Sequence, residues 1–164
     1  VNLSARQFVQ PDLLRRIDEI LAETRLDPSC LRLELTESAV NYEPDLARGV
    51  LRALHERGIQ ICLDDFGTGY SSLQQLKQLP LSNVKVDRSF VRGLGTNAES
   101  LGMVQTIIAL GRSLAVDTIA EGVETPEELD ELRALGMKFA QGYLFSTPLS
   151  AENAELLLSS GEPE

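Results

Sequence analysis

The sequence predicts an α/β fold: a TIM-like (β/α)8-type barrel, a partial one with about six of the eight βα units of a complete barrel. Three observations predict it. Short apolar segments alternate with amphipathic helical stretches along the 164 residues, the rhythm of βα units and a parallel sheet. Each segment has one apolar face and one face with polar groups, whereas strands covered by helices on both faces read as near-continuous apolar runs. The polar groups gather at the C-terminal ends of the strands, where a barrel builds its active site.

The first strand-like segment is Val1–Ser4, with Val1 and Leu3 opposite Asn2. A helix follows from Pro11 to about Arg25, its Leu13, Leu14, Ile17, Ile20 and Leu21 at helical spacing and Pro11 suited to a first helical position. Asp27-Pro28-Ser29 breaks the chain before Leu31–Leu35, whose leucines share one face and leave Arg32 and Glu34 on the other. The next helix, Pro44–Arg57, ends at Gly58, which fits a C-terminal cap. In Ile59–Asp64, Ile59, Ile61 and Leu63 oppose Gln60, Cys62 and Asp64. A glycine-rich turn then leads to a short helix from about Ser71 to Leu79. In Asn83–Asp87, Val84 and Val86 oppose Asn83, Lys85 and Asp87. The helix Ala98–Leu114 precedes the strand Val116–Glu121, in which Asp117 and Glu121 flank Ile119 on one face. The helix Pro126–Leu135, the short strand Phe139–Gln141 and a helix Ala151–Leu158 complete the series. Residues 1–158 read as one domain and Ser159–Glu164 as a disordered tail.

Composition narrows the function. A net charge of −10 argues against a nucleic-acid polymer held by phosphate neutralisation. A small phosphorylated ligand stays open, because bound metal ions invert the local field. No apolar run approaches the ~20 residues that span a bilayer, and no segment has the pattern of a secretory signal peptide. Cys30 and Cys62 have neither metal-site spacing nor a disulfide framework, and Cys62 reads as a buried free thiol. The expected location is cytoplasmic, including the cytoplasmic part of a membrane-anchored parent. The single histidine, His55, falls on a helix surface, which leaves little room for histidine triads or histidine-rich zinc sites. The chain begins Val1-Asn2-Leu3 already in a strand-like pattern, so it is expected to be a piece of a longer protein.

In a barrel, Asn2, Glu34, Asp64, Asp65, Lys85, Asp87, Glu121 and Gln141 converge on one mouth. Adjacent carboxylates at Asp64-Asp65 repel each other and resist burial, so a bound cation is their natural partner. The donors are almost all oxygen, which selects Mg²⁺, Mn²⁺ or Ca²⁺ over zinc or copper. Paired aspartates suit a two-metal site, which makes hydroxide from water and clamps a phosphoryl group. Lys85 is then placed to orient the nucleophile or stabilise phosphate charge, and Glu121 to act as ligand or base. Metal-assisted phosphoester hydrolysis ranks first, with enolate formation using Lys85 as base as the competing reading. Structural alternatives exist for single residues: an interior ion pair for Glu34 and Lys85, supporting salt bridges for Asp87 and Glu124. Asp65-Phe66-Gly67 has no kinase glycine loop or H-R-D segment beside it. Gly67 and Gly69 likewise lack the Gly-Lys-Ser/Thr of a P-loop.

The motifs carry a resemblance as well. Val1-Asn2-Leu3-Ser4-Ala5-Arg6-Gln7-Phe8, Glu34-Leu35-Thr36-Glu37, the segment Asp64–Ser72, Lys85-Val86-Asp87, Ala120-Glu121-Gly122-Val123-Glu124 and Gln141-Gly142-Tyr143 occur in order. Together they resemble EAL domains, the bacterial cyclic di-GMP phosphodiesterases. The resemblance implies hydrolysis of cyclic di-GMP to linear pGpG with Mg²⁺ or Mn²⁺ in a two-metal site. It implies Asn2, Glu34, Asp64 and Glu121 as metal ligands, Asp65 on the second ion, Lys85 positioning the attacking water and Glu121 as a candidate base. Glu37 would anchor the Asp65–Ser72 loop, Asp87 and Glu124 would support the site, and Gln141 would bind substrate. It further implies a homodimer formed near that loop, with sensory or GGDEF-type domains upstream. The family's Glu-Ala-Leu segment, with its own metal-binding glutamate and a nearby arginine, is absent from these residues. This piece alone is therefore expected to be inactive. The alternatives are a receptor module that binds cyclic di-GMP without cleaving it, and a non-catalytic scaffold.

Overall fold

The computed structural model describes residues 1–67 and 73–160. The sheet has five parallel strands: β1 (Arg32–Thr36), β2 (Gln60–Phe66), β3 (Asn83–Val86), β4 (Asp117–Glu121) and β5 (Phe139–Gln141), side by side in chain order. The helices are α1 (Ala5–Phe8), α2 (Leu13–Thr24), α3 (Glu37–Tyr42), α4 (Pro44–Glu56), α5 (Leu73–Leu76), α6 (Arg88–Val91), α7 (Ala98–Leu114), α8 (Pro126–Ala134) and α9 (Ala151–Ser160). Parallel neighbours in chain order, joined by helical crossovers, form an arc of a (β/α)8-type barrel, as the alternation predicts.

Strand parity also holds. Leu33, Leu35, Ile61, Leu63, Val84, Val86 and Ala120 are buried. They share one core with Leu51 and Leu54 of α4 and Val104, Ile107 and Ile108 of α7. Ala47, Leu51 and Leu54 are fully buried along one stripe of α4. Each buried leucine of that stripe contributes about 1.5–3 kcal/mol relative to exposure. Side chains alternate along a strand, so the opposite face carries Glu34, Cys62, Asp64, Asn83, Lys85, Ile119, Glu121 and Gln141. The register sets Glu34 beside Cys62, Lys85 beside Ile119, and Glu121 beside Gln141.

The structure departs from the sequence reading locally: α2 begins at Leu13 behind Asp12 rather than at Pro11, and α5 ends at Leu76 rather than Leu79. Three further differences have a visible cause. The expected sixth strand, Val1–Ser4, is reduced to a single parallel bridge between Asn2 and Glu34. There the Leu3 N–H donates to the Glu34 carbonyl at 2.8 Å and the Glu34 N–H to the Val1 carbonyl at 2.9 Å. The pairing stops because Ser4 and Gln7 form a capping box that turns the chain into α1. Secondly, α1, α3 and α6 are too short for an apolar period to reveal, and each starts at a side-chain cap: Ser4, Thr36 and Asp87. Thirdly, α9 takes in Ser159 and Ser160, which the sequence reading gives to the tail; the Ser159 hydroxyl donates to the Glu155 carbonyl at 2.7 Å. The rest of that tail, 161–164, and the expected helix start at Ser71 lie outside the described residues. No helix among the described residues is long and apolar enough to cross a membrane.

Candidate active site

Parity alone would send Asp64 and Asp65 to opposite faces of β2. The structure brings both to the same mouth through an irregularity in the β2–β3 ladder. Leu63 pairs with Val84 and Phe66 with Val86, so Asp64 and Asp65 together face Lys85. Two residues against one is a β-bulge, which bends a strand and re-aims a side chain. Asp65 takes the bend with φ +53°, a left-handed conformation that aspartate tolerates better than most residues. Its N–H donates to the Asp64 carboxylate at 3.1 Å. As a result, carboxylate oxygens of Asp64, Asp65 and Glu121 lie within 4.8 Å of one another.

Lys85 is the cation of this cluster. Its Nζ is 3.1 Å from Glu34 Oε2 and 3.4 Å from Asp64 Oδ1, and it also pairs with Glu121 Oε1. Burial works against its charge, with the side chain only 4% exposed. Hydrogen bonds and charges from Glu121, Asp64 and Glu34 outweigh that and hold the ammonium above the ordinary lysine pKa. The acids outnumber it. Burial raises the Glu121 pKa and the Asp64 charge adds to this, while Lys85 pulls it back without cancelling the effect. Burial likewise lifts Asp65 above the usual carboxylate range, helped by the charges of Asp64 and Asp87. Burial also opposes the charge of Asp87, but hydrogen bonds from Ser89 and from Asp65 bring its pKa below the usual range.

Gln141 donates from Nε2 to Glu121 Oε1 at 2.6 Å, which fixes the orientation of Glu121. Asn2 is exposed and sits beside Glu34 at the bridge. Asp87 caps α6 by accepting from the Ser89 N–H at 2.9 Å. Glu124 pairs with Arg92, and its N–H donates to Glu128 at 2.8 Å. Glu37 is buried at the first position of α3. Of the Asp65–Ser72 loop that it is expected to anchor, and beside which the homodimer contact is expected, residues 68–72 lie outside the described residues.

Sequence reasoning did not single out the two arginines that line the adjoining cleft. This cleft, about 730 Å³, is lined by Asp65, Asp87, Glu121, Glu124 and Gln141 together with Arg88, Arg92 and Tyr143. The available signal was Asp87-Arg88-Ser89, a cap-like triplet whose helix presents residues 88 and 92 on one face. Oxygen donors crowded around too little positive charge, beside an open cleft with guanidinium groups, suit a hard divalent cation and an anionic substrate.

The EAL domain family model matches residues 1–148. The bifunctional diguanylate cyclase/cyclic di-GMP phosphodiesterase MucR of Pseudomonas aeruginosa is 43% identical over 152 residues, which is 93% of this chain and 22% of that protein. The structure of the MucR phosphodiesterase in its c-di-GMP complex superposes with TM-score 0.91 at 42% identity, covering 94% of this chain and 62% of that one. The EAL domain of Mycobacterium smegmatis DcpA gives TM-score 0.92 at 39% identity, covering 99% and 73%. Klebsiella pneumoniae BlrP1, solved as a manganese and cy-diGMP complex, gives TM-score 0.83 at 34% identity, covering 90% and 38%. The chain spans about a fifth of the length of the first curated relatives it matches, 19% and 21% of two of them.

Proposed function

The chain belongs to the EAL domain family, and on that premise we propose that it is the catalytic part of a cyclic di-GMP phosphodiesterase that opens one phosphodiester to give linear pGpG. The observation that carries the reading is that Glu34, Asp64 and Glu121 converge on the Lys85 ammonium while Asp65 joins Asp64 and Glu121 in one carboxylate cluster. Four acids around one cation call for more positive charge. Oxygen donors of this kind fit Mg²⁺ or Mn²⁺. Asp64, Asp65 and Glu121 would hold the metal, with Glu34 and Asn2 joining from the β1 side. When bound, one or two such ions supply hydroxide at neutral pH and neutralise the phosphoryl oxygens.

The protein's own groups then divide the work. Lys85, fixed by its carboxylate partners, holds a proton donor at the place where the attacking water is oriented. Glu121, with its pKa raised by burial, is suited to take a proton from that water. Gln141 holds Glu121 in position through its 2.6 Å hydrogen bond. Arg88 and Arg92 offer positive charge to the phosphodiester from the cleft wall.

A receptor that binds the dinucleotide without cleaving it is the alternative, and the intact acid set around Lys85 favours the hydrolase. The parent protein is proposed to carry further domains, a cyclase-type one included, as the name of MucR pairs a cyclase with a phosphodiesterase. The isolated 164 residues are expected to release no pGpG. The test is to incubate the full-length protein with cyclic di-GMP and Mn²⁺, then with EDTA. Metal-dependent pGpG release supports the hydrolase; tight binding without release would favour the receptor.

A further inference from the structure

We propose that Lys85 is a built-in counter-cation with which a divalent metal must compete, so that metal loading exchanges carboxylate partners between the ammonium and the ion. The inference rests on the hydrolase reading's metal site and concerns how that site is filled. The Lys85 ammonium contacts carboxylates from three different strands: Glu34 of β1 at 3.1 Å, Asp64 of β2 at 3.4 Å, and Glu121 of β4. Two of these, Asp64 and Glu121, also belong to the trio whose oxygens lie within 4.8 Å of one another. The carboxylates best placed for a metal are therefore already committed to Lys85. Glu121 is committed twice, because its Oε1 also accepts from Gln141 at 2.6 Å.

Two consequences follow from charge alone. With Lys85 in place, the metal-free cluster has a partner for several of its acids, so the fold tolerates four carboxylates at one mouth. A divalent ion entering the cluster meets a positive charge a few ångströms away, in a region too dry for water to screen it fully. Lys85 thus stabilises the metal-free protein and weakens the metal-bound one.

The experiment compares wild type with Lys85→Met, which keeps the length of the side chain and removes its charge. Mn²⁺ is titrated calorimetrically into the metal-stripped protein, and thermal unfolding is followed in EDTA and in Mn²⁺. The variant is expected to bind Mn²⁺ about tenfold tighter or more. It should also melt lower in EDTA and gain more from Mn²⁺ than wild type does. Binding by the variant alone, with none by wild type, supports competition in its strongest form. If wild type binds Mn²⁺ and the variant binds equally or more weakly, the competition is overturned while the metal site stands. If neither protein binds, the metal site itself falls, and the competition with it. Should the variant be unfolded in EDTA, recovery of the fold in millimolar Mn²⁺ supports the proposal, and failure to recover overturns it.

Discussion

Gly142→Ala is the sharpest perturbation outside the acid cluster, because it acts on the backbone that holds Gln141 against Glu121. The Val123 N–H donates to the Gln141 carbonyl at 3.1 Å and the Leu144 N–H to the Val123 carbonyl at 3.0 Å, so the segments after β4 and β5 run in backbone contact. A Cβ on residue 142 would lie 2.7 Å from the Val123 carbonyl carbon and closer still to its oxygen and nitrogen. Val123 is fully buried, so the clash is with backbone and no rotamer relieves it. Overpacking of this kind costs about 1–3 kcal/mol, and contact with rigid backbone argues for the upper end. For a chain of this size, roughly 3 kcal/mol lowers the melting temperature by about 6–12 °C. Gly102→Ala is the matched control: it sits on the exposed side of α7 with nothing within 4 Å of an added Cβ. There alanine should stabilise by about 0.5–1 kcal/mol. Urea unfolding of the three proteins at constant m-value reads both effects. An unchanged midpoint for Gly142→Ala, or the same sign for both variants, would refute the packing argument.

Other expectations concern the scaffold. Arg57 grips Asp18 through Nε at 2.7 Å and Nη2 at 2.9 Å, tying α4 to α2. Asp18→Asn should cost up to about 1 kcal/mol, and less in high salt, because the pair is solvent-screened. The Asp18 pKa is lowered, first by its hydrogen bond from Arg57, so its contribution is present above the unfolded value of 3.8 and lost as pH falls through the lower folded value. A penalty that persists unchanged below that range would contradict the assignment. Burial pushes the Cys62 thiol up to about 12, while Cys30 is exposed. A thiol reagent should therefore titrate Cys30 in the native protein and Cys62 only on unfolding; rapid reaction of both would show the core to be open.

Much of this site could be read in the sequence because strand parity is a strong constraint. Glu34, Asp64, Lys85 and Glu121 each fall opposite an apolar face, and burial of that face fixes where they point. Asp65 was out of reach of parity. Its direction depends on a bulge and a positive φ, which no period announces. The short helices behave in the same way: α1, α3 and α6 are set by one capping side chain each rather than by an apolar stripe. Arg88 and Arg92 stayed hidden for that reason, since they reach the cleft only once Asp87 has started α6. The glycine contacts at Gly122 and Gly142 are tertiary and have no local signature at all.

The most direct test of a metal-assisted phosphodiesterase centred on these carboxylates is pGpG release by the full-length protein and its Asp64→Ala variant, at saturating Mn²⁺ and matched folded content. Asp64 is a member of the acid trio and lies 3.4 Å from Lys85 Nζ. The expected result is a loss of turnover of more than about a hundredfold, with the fold retained. Undiminished pGpG release from Asp64→Ala would contradict the assignment of the site.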